Sequence, residues 1–242
     1  MSDEEDHDFS TGQGYGEPHE GFDLEPPELT VGPEEVDPVD SRVITDLLDE
    51  RQIPASQVDG ETLLDVGLEY IRIKRYEEAV DALERVIRFG DDESLLVQEA
   101  YANKGAAHAE LEEWDAAIGA YESALRIDDR SEHAAVAETN LAYALWESGQ
   151  HDRALEHAER AVELDDRLPQ AWYNRGFFLL ERGLAEDALF CLENAERLGM
   201  HGPDIHEEKA NALEELDEYD EAAEERDRAE ELAEQGQEAL RE

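Results

Sequence analysis

A small residue, Gly or Ala, is followed twelve positions later by Ala and nineteen positions later by another small apolar residue, five times between Gly60 and the C-terminus. The sets are Gly67/Ala79/Val86, Gly105/Ala117/Ala124, Ala142/Ala154/Ala161, Gly176/Ala188/Ala195 and Ala210/Ala222/Ala229. On the middle alanine the intervals are 38, 37, 34 and 34 residues. Self-similarity at such a period marks a stacked helical array in which each unit buries its apolar face on its neighbours. Where two helices cross closely, a side chain larger than Ala would hold the backbones apart.

Within each unit two helical patterns are separated by a short break. The fourth unit shows it best: Ala171 to Leu180 forms one apolar-periodic run, Glu181-Arg182-Gly183 breaks it, and Leu184 to Leu189 opens the next. Gly183 and Gly149 are helix stops, because Gly takes the left-handed conformation that follows a helix C-cap without steric penalty. In register, Tyr70, His108, Leu145, Leu179 and Leu213 share one core position, and Leu83, Tyr121, Ala158, Leu192 and Arg226 another. Arg226 at an apolar position predicts a last helix with one face in water, as a terminal capping helix requires.

These residues resemble the tetratricopeptide repeat, a helix-turn-helix of 34 residues, with Trp172, Gly176, Leu179, Ala188, Leu192 and Ala195 carrying the likeness in unit four. The resemblance implies an all-α fold, a right-handed superhelix or α-solenoid of about five units: 60–93, 94–130, 131–168, 169–202 and 203–235. A tail of 236–242 follows. Asp91, Asp129 and Asp166 replace the family's closing Pro, and the two longer intervals predict a lengthened first helix or preceding turn in units two and three.

The resemblance also implies a concave groove lined by the first helix of each unit. Carrying its register over points Leu64 and Leu68, then Thr139, Tyr143 and Trp146, then Gln170, Tyr173, Phe177 and Leu180 into that groove. Units two and five contribute acidic residues, among them Glu99, Glu110, Asp204, Glu207 and Glu215. A floor of aromatics with acidic ends fits recognition of a peptide or protein segment. The family's carboxylate-clamp ligand is not expected: Asn103 alone matches the clamp, while Leu64, Leu68, Val136 and Asn140 fill its other places, leaving no cation for a carboxylate. The function implied is a non-catalytic adaptor, with an acidic chaperone or sequestering factor for basic proteins as the alternative. The terminal helices offer a route to self-association.

Charge limits the partners. With 20 basic and 67 acidic residues the net charge is −47, a field that repels polyanions, so nucleic acid is not an expected partner. Self-repulsion of this size weakens a compact state when the Debye length is long. Lys74, Lys104 and Lys209 are the only lysines among the 20 basic residues, and this balance resembles cytoplasmic proteins of extreme halophiles. A dedicated polycation site calls for a localised patch, whereas both helices of every unit carry Asp and Glu.

Residues 1–40 contain no Lys or Arg but hold Pro18, Pro26, Pro27, Pro33 and Pro38. A segment so charged and so poor in apolar residues is predicted to be a disordered acidic arm. Ser41 to Arg51 is predicted to form an amphipathic helix with Val43, Ile44, Leu47 and Leu48 on one face, capping the first unit, with 52–59 as its connection. No signal peptide or apolar run long enough to span a membrane is present, so a soluble cytoplasmic protein is expected. No cofactor or metal is expected. Cys191, between Phe190 and Leu192, reads as a packed thiol. His151 and His157 sit six residues apart on opposed faces of one helix, and His201 and His206 flank a turn. Gly12-Gln13-Gly14-Tyr15-Gly16 lacks the strand and helix that a phosphate loop requires.

Overall fold

The structure, a computed structural model, describes residues 59–91, 94–131 and 133–239. The predicted arm, 1–40, and all but the last residue of the predicted capping helix and connection lie outside them. Among the described residues ten helices form five antiparallel pairs: α1 (Gly60–Arg72) with α2 (Tyr76–Phe89), α3 (Leu95–Glu110) with α4 (Trp114–Ile127), α5 (Ala134–Glu147) with α6 (His151–Leu164), α7 (Pro169–Leu180) with α8 (Ala185–Arg197), and α9 (Pro203–Glu215) with α10 (Tyr219–Ala239). Among the described residues there is no strand, and the architecture is an α-solenoid.

Each pair closes through one turn repeated five times. Lys74, Glu112, Gly149, Gly183 and Asp217 occupy the same register position and all have positive φ, between 58° and 81°. The amide of the next residue returns to the carbonyl four residues before the turn residue: Arg75 to Tyr70, Glu113 to His108, Gln150 to Leu145, Leu184 to Leu179 and Glu218 to Leu213, at 2.8–3.0 Å. This satisfies carbonyls that the helix end leaves without partners. Gly is present in only two turns; the other three hold the strained conformation with a side chain, at about 1 kcal/mol each.

The crossing point inside each pair follows a rule of complementary size. Gly67, Gly105 and Gly176 each face the residue sixteen positions on. A Cβ on Gly67 would stand 2.8 Å from Leu83, one on Gly105 2.6 Å from the Tyr121 ring, and one on Gly176 3.0 Å from Leu192. Where the opposing residue is small, as Ala158 is, or turns to water, as Arg226 does, Ala takes the glycine's place at Ala142 and Ala210. Arg226 is exposed and pairs with Glu214.

The long intervals are explained by both devices foreseen. α3 has 16 residues against 12 in α7, and Ser94 caps it by accepting from the Val97 amide at 3.2 Å. α5 is preceded by the non-helical residues Asp128 to Ser131. α10 runs on to Ala239, through part of the segment read as a tail.

Successive first helices touch each other, α1 with α3, α3 with α5, α5 with α7 and α7 with α9, while second helices of adjacent units meet more sparsely. The stack therefore bends towards its first helices, which form the inner face.

Candidate functional site

The inner face separates the expected groove residues into two groups. Leu64, Thr139 and Leu180 are 6%, 2% and 5% exposed, so these three are corrected from groove to core. Thr139 Oγ1 donates to the Ala135 carbonyl at 2.8 Å, which satisfies its hydroxyl inside its own helix. Leu68 is half-buried against the cluster around Leu63, Leu64 and Leu83. Tyr143 is 46% exposed, Gln170 is exposed, and Trp146, Tyr173 and Phe177 are half-buried.

The aromatics do not stand alone. Trp146 stacks on the buried Phe178 at 4.7 Å between centroids and 14° between planes, meets Phe177 edge-on at 5.4 Å and lies 4.1 Å from His151. Tyr143 meets Trp114 of the preceding unit edge-on at 6.0 Å. Offset and edge-on contacts of this kind add to the area each ring buries. Each ring thus joins two helices with one side, and what remains faces outward. Gln170 Nε2 donates to Asn174 Oδ1 at 3.0 Å, and Asn174 Nδ2 donates to the Thr139 carbonyl at 3.1 Å, tying α7 to α5 beneath the rings. Register reasoning missed Phe178, Trp114 and Asn174; the tandem Phe177-Phe178, one ring out and one in, was the available signal for the first.

Carboxylates surround the tyrosines. Burial pushes the Tyr173 hydroxyl up to about 12, with Glu208, Asp204, Glu207 and Tyr143 adding to the shift. Burial also raises Tyr143, reinforced by Glu147, which accepts its hydrogen bond, and by Glu110. Glu208 is raised by burial; the bond from Asn211 opposes this, while Glu181, Glu207 and Asp204 reinforce it. Glu110, Glu147, Glu181 and Glu215 recur at one register position of α3, α5, α7 and α9, and all four are exposed.

The cations are elsewhere. Lys104 pairs with Glu84 at 2.6 Å, Arg153 with Glu122 at 2.7 Å, Arg160 with Asp129 at 2.6 Å and Arg182 with Asp152 at 2.5 Å, each pair linking adjacent units on the side of the second helices. Among the described residues no ion pair is found at Glu147, Glu181, Asp204, Glu207 or Glu208.

Cys191 is buried, and burial pushes its thiol up to about 11, which disfavours the thiolate. Among the described residues no group of three or more His, Cys, Asp or Glu is placed to hold a metal ion. Asn103 spends its amide on the Glu99 carbonyl of its own helix, at 2.9 Å.

Comparison with known proteins agrees with this architecture. Residues 60–89 and 96–167 match tetratricopeptide-repeat models, so this stretch is a tetratricopeptide-repeat domain, and the helix pairs beyond it continue the same hairpin. No curated protein matches the sequence. Among solved structures, MamA from Desulfovibrio magneticus RS-1 is 19% identical, with a TM-score of 0.61 over 73% of this chain and 96% of its own. YrrB, described as a TPR protein with an unusual peptide-binding site, is 19% identical with a TM-score of 0.58 over 78% and 91%. PilF of Pseudomonas aeruginosa is 23% identical with a TM-score of 0.62 over 71% and 75%. At these identities the likeness shows the fold alone. No enzyme family is indicated, and no described helix is long and apolar enough to cross a membrane.

Proposed function

We propose that the chain is a non-catalytic scaffold that binds a peptide or protein segment along the inner face of the stack. The observation that carries this reading is the row of half-open rings Tyr143, Tyr173 and Phe177 on consecutive first helices, stiffened from below by Trp146, Phe178 and Asn174. Rigid aromatics on a bent surface bind with little loss of side-chain freedom. YrrB supports it as a protein of the same fold described as peptide-binding. The alternative, a sequestering factor that uses its whole acidic surface, is opposed by the side of the second helices, where several carboxylates are already paired with Arg or Lys.

Selection of peptides from a random library on the immobilised full chain, followed by amide chemical-shift mapping, tests the reading. Shifts confined to α5, α7 and α9, and lost in Tyr143→Ala, are the expected result. Shifts confined to α4, α6 and α8 overturn it. The wide spread of carboxylates is read as adaptation to a cytoplasm of concentrated salt. A melting temperature that falls as KCl rises would overturn that second point.

A further inference from the structure

The carboxylates are spread evenly through the sequence, and among the described residues some of those on the side of the second helices are paired with cations while others there, such as Glu156, Glu163 and Glu193, form no ion pair. On the side of the second helices, Glu84, Glu122, Asp129 and Asp152 each accept from a Lys or Arg of the neighbouring unit. On the inner face, Glu147, Glu181, Asp204, Glu207 and Glu208 form no ion pair among the described residues and lie near Tyr143, Tyr173 or one another. Of these only Glu208 is half-buried and the other four are exposed; carboxylates that repel one another are relieved by a cation from outside, most strongly where one of them is partly removed from water. The exposed tyrosine faces beside them add cation–π attraction.

Geometry sets a spacing. Packed helix axes lie about 8–10 Å apart, and an extended chain rises about 3.3 Å per residue. One carboxylate at this position in each of units two to five, Glu110, Glu147, Glu181 and Glu215, with Arg72 there in unit one, therefore matches one cation about every third residue across those four units. The chain's own residues 1–40 contain no Lys or Arg and so offer no such cation.

Resting on the inner-face reading above, we propose that the bound segment is basic: an extended stretch of a partner protein carrying Lys or Arg at about every third residue, with apolar residues between them lying on Tyr143, Tyr173 and Phe177. The negative face selects among peptides by sign as well as by shape.

Fluorescence anisotropy on the full chain tests it with three labelled peptides repeating Arg-Ser-Leu, Ser-Ser-Leu and Glu-Ser-Leu, at moderate and at multimolar KCl. The Arg peptide binds at least about tenfold more tightly than the other two. Joint replacement Glu147→Gln, Glu181→Gln and Asp204→Asn weakens it about tenfold. The control Glu156→Gln, Glu163→Gln and Glu193→Gln, which removes as much charge from exposed sites on α6 and α8, changes it less than about twofold. Equal losses in the two variants overturn the proposal in favour of binding by total charge. A Ser or Glu peptide that binds as tightly as the Arg peptide, with loss in Tyr143→Ala, overturns the basic character and leaves the inner face as a binding site. Binding of the Arg peptide that Tyr143→Ala leaves unchanged overturns both. Circular dichroism melts of each variant confirm that the compared proteins are folded.

Discussion

Units three and four are joined by an aromatic contact, units four and five by an ionic one. At the first junction Trp146 lies flat on Phe178, which is wholly buried. At the second, Lys209, only 6% exposed, donates to Glu196 of α8 at 2.8 Å and to Glu225 of α10 at 2.5 Å, while His206 Nδ1 lies 2.6 Å from Glu225. His206/Glu225 occupies the register filled by Glu138/His157 in unit three, where the pair also meets, at 2.5 Å, with the residue types exchanged. Unit one fills it with Leu63/Ala82 and unit four with Trp172/Cys191. A stack can thus be closed by either kind of contact, but the two answer to different conditions. Apolar burial is indifferent to pH, whereas the ionic junction holds only while its members keep their charges.

Phe178→Ala has the largest expected effect. It empties the space under Trp146 and costs about 3–5 kcal/mol, read as a lower denaturant midpoint for the whole array. A loss confined to one unit would show that the junction does not couple its neighbours.

Lys209→Met comes next. It leaves Glu196 and Glu225 facing each other without their cation, a loss of about 2 kcal/mol, below the range for a fully buried pair because Glu196 is partly exposed. In a repeat array the damage should stay local, so hydrogen exchange speeds up in α9 and α10 and not in α5 to α7. The same network predicts a pH response. Burial opposes the charge of Glu225, but the bonds from Lys209 and His206 outweigh it and lower its pKa. A lowered folded pKa means that the stabilisation is present above the ordinary carboxylate range and is lost as pH falls through it. Burial likewise opposes the charge of Lys209, and the bonds to Glu196 and Glu225 outweigh that and raise its pKa. Its contribution holds at neutral pH and is lost only on the alkaline side. On acidification α9 and α10 therefore exchange faster before α7, the helix that carries Phe178, does; α5 and α6 hold the pair of buried Glu138 with His157 and are not the reference. Simultaneous loss would remove the contrast between the junctions.

The smallest effects belong to the turn that every unit shares. Gly183→Ala places a Cβ in open space, since nothing lies within 4 Å, but at φ 73°, so it loses about 1 kcal/mol through backbone strain alone. Glu112→Gly relieves the same strain at φ 58° and stabilises by roughly 0.5–1 kcal/mol. Opposite signs in chemical denaturation check the pair.

Several elements were legible because they rest on local rules. The spacing of Gly67, Gly105 and Gly176 announced helix crossings, and Gly149 and Gly183 announced the turns. Lys74, Glu112 and Asp217 hid the same turn, since nothing about those residue types asks for positive φ; only the shared register reveals them. The register was a weaker guide to the expected groove residues. Tyr143 and Tyr173 lie on the inner face with part of each ring open, but Thr139 and Leu180 are buried, because a period fixed on one helix cannot say how far the next unit rotates over it.

The order of residues, taken alone, determined that this chain stacks helical hairpins: small side chains at a fixed interval permit close crossings, and that constraint is local and repeats. Which charges are compensated was decided by the tertiary structure. Composition counts Glu122 and Glu181 as equals, yet one meets an arginine across a unit boundary and the other has no such partner among the described residues. Electrostatic pairing depends on distances of a few ångströms between residues about thirty positions apart, and only the packed stack sets those distances.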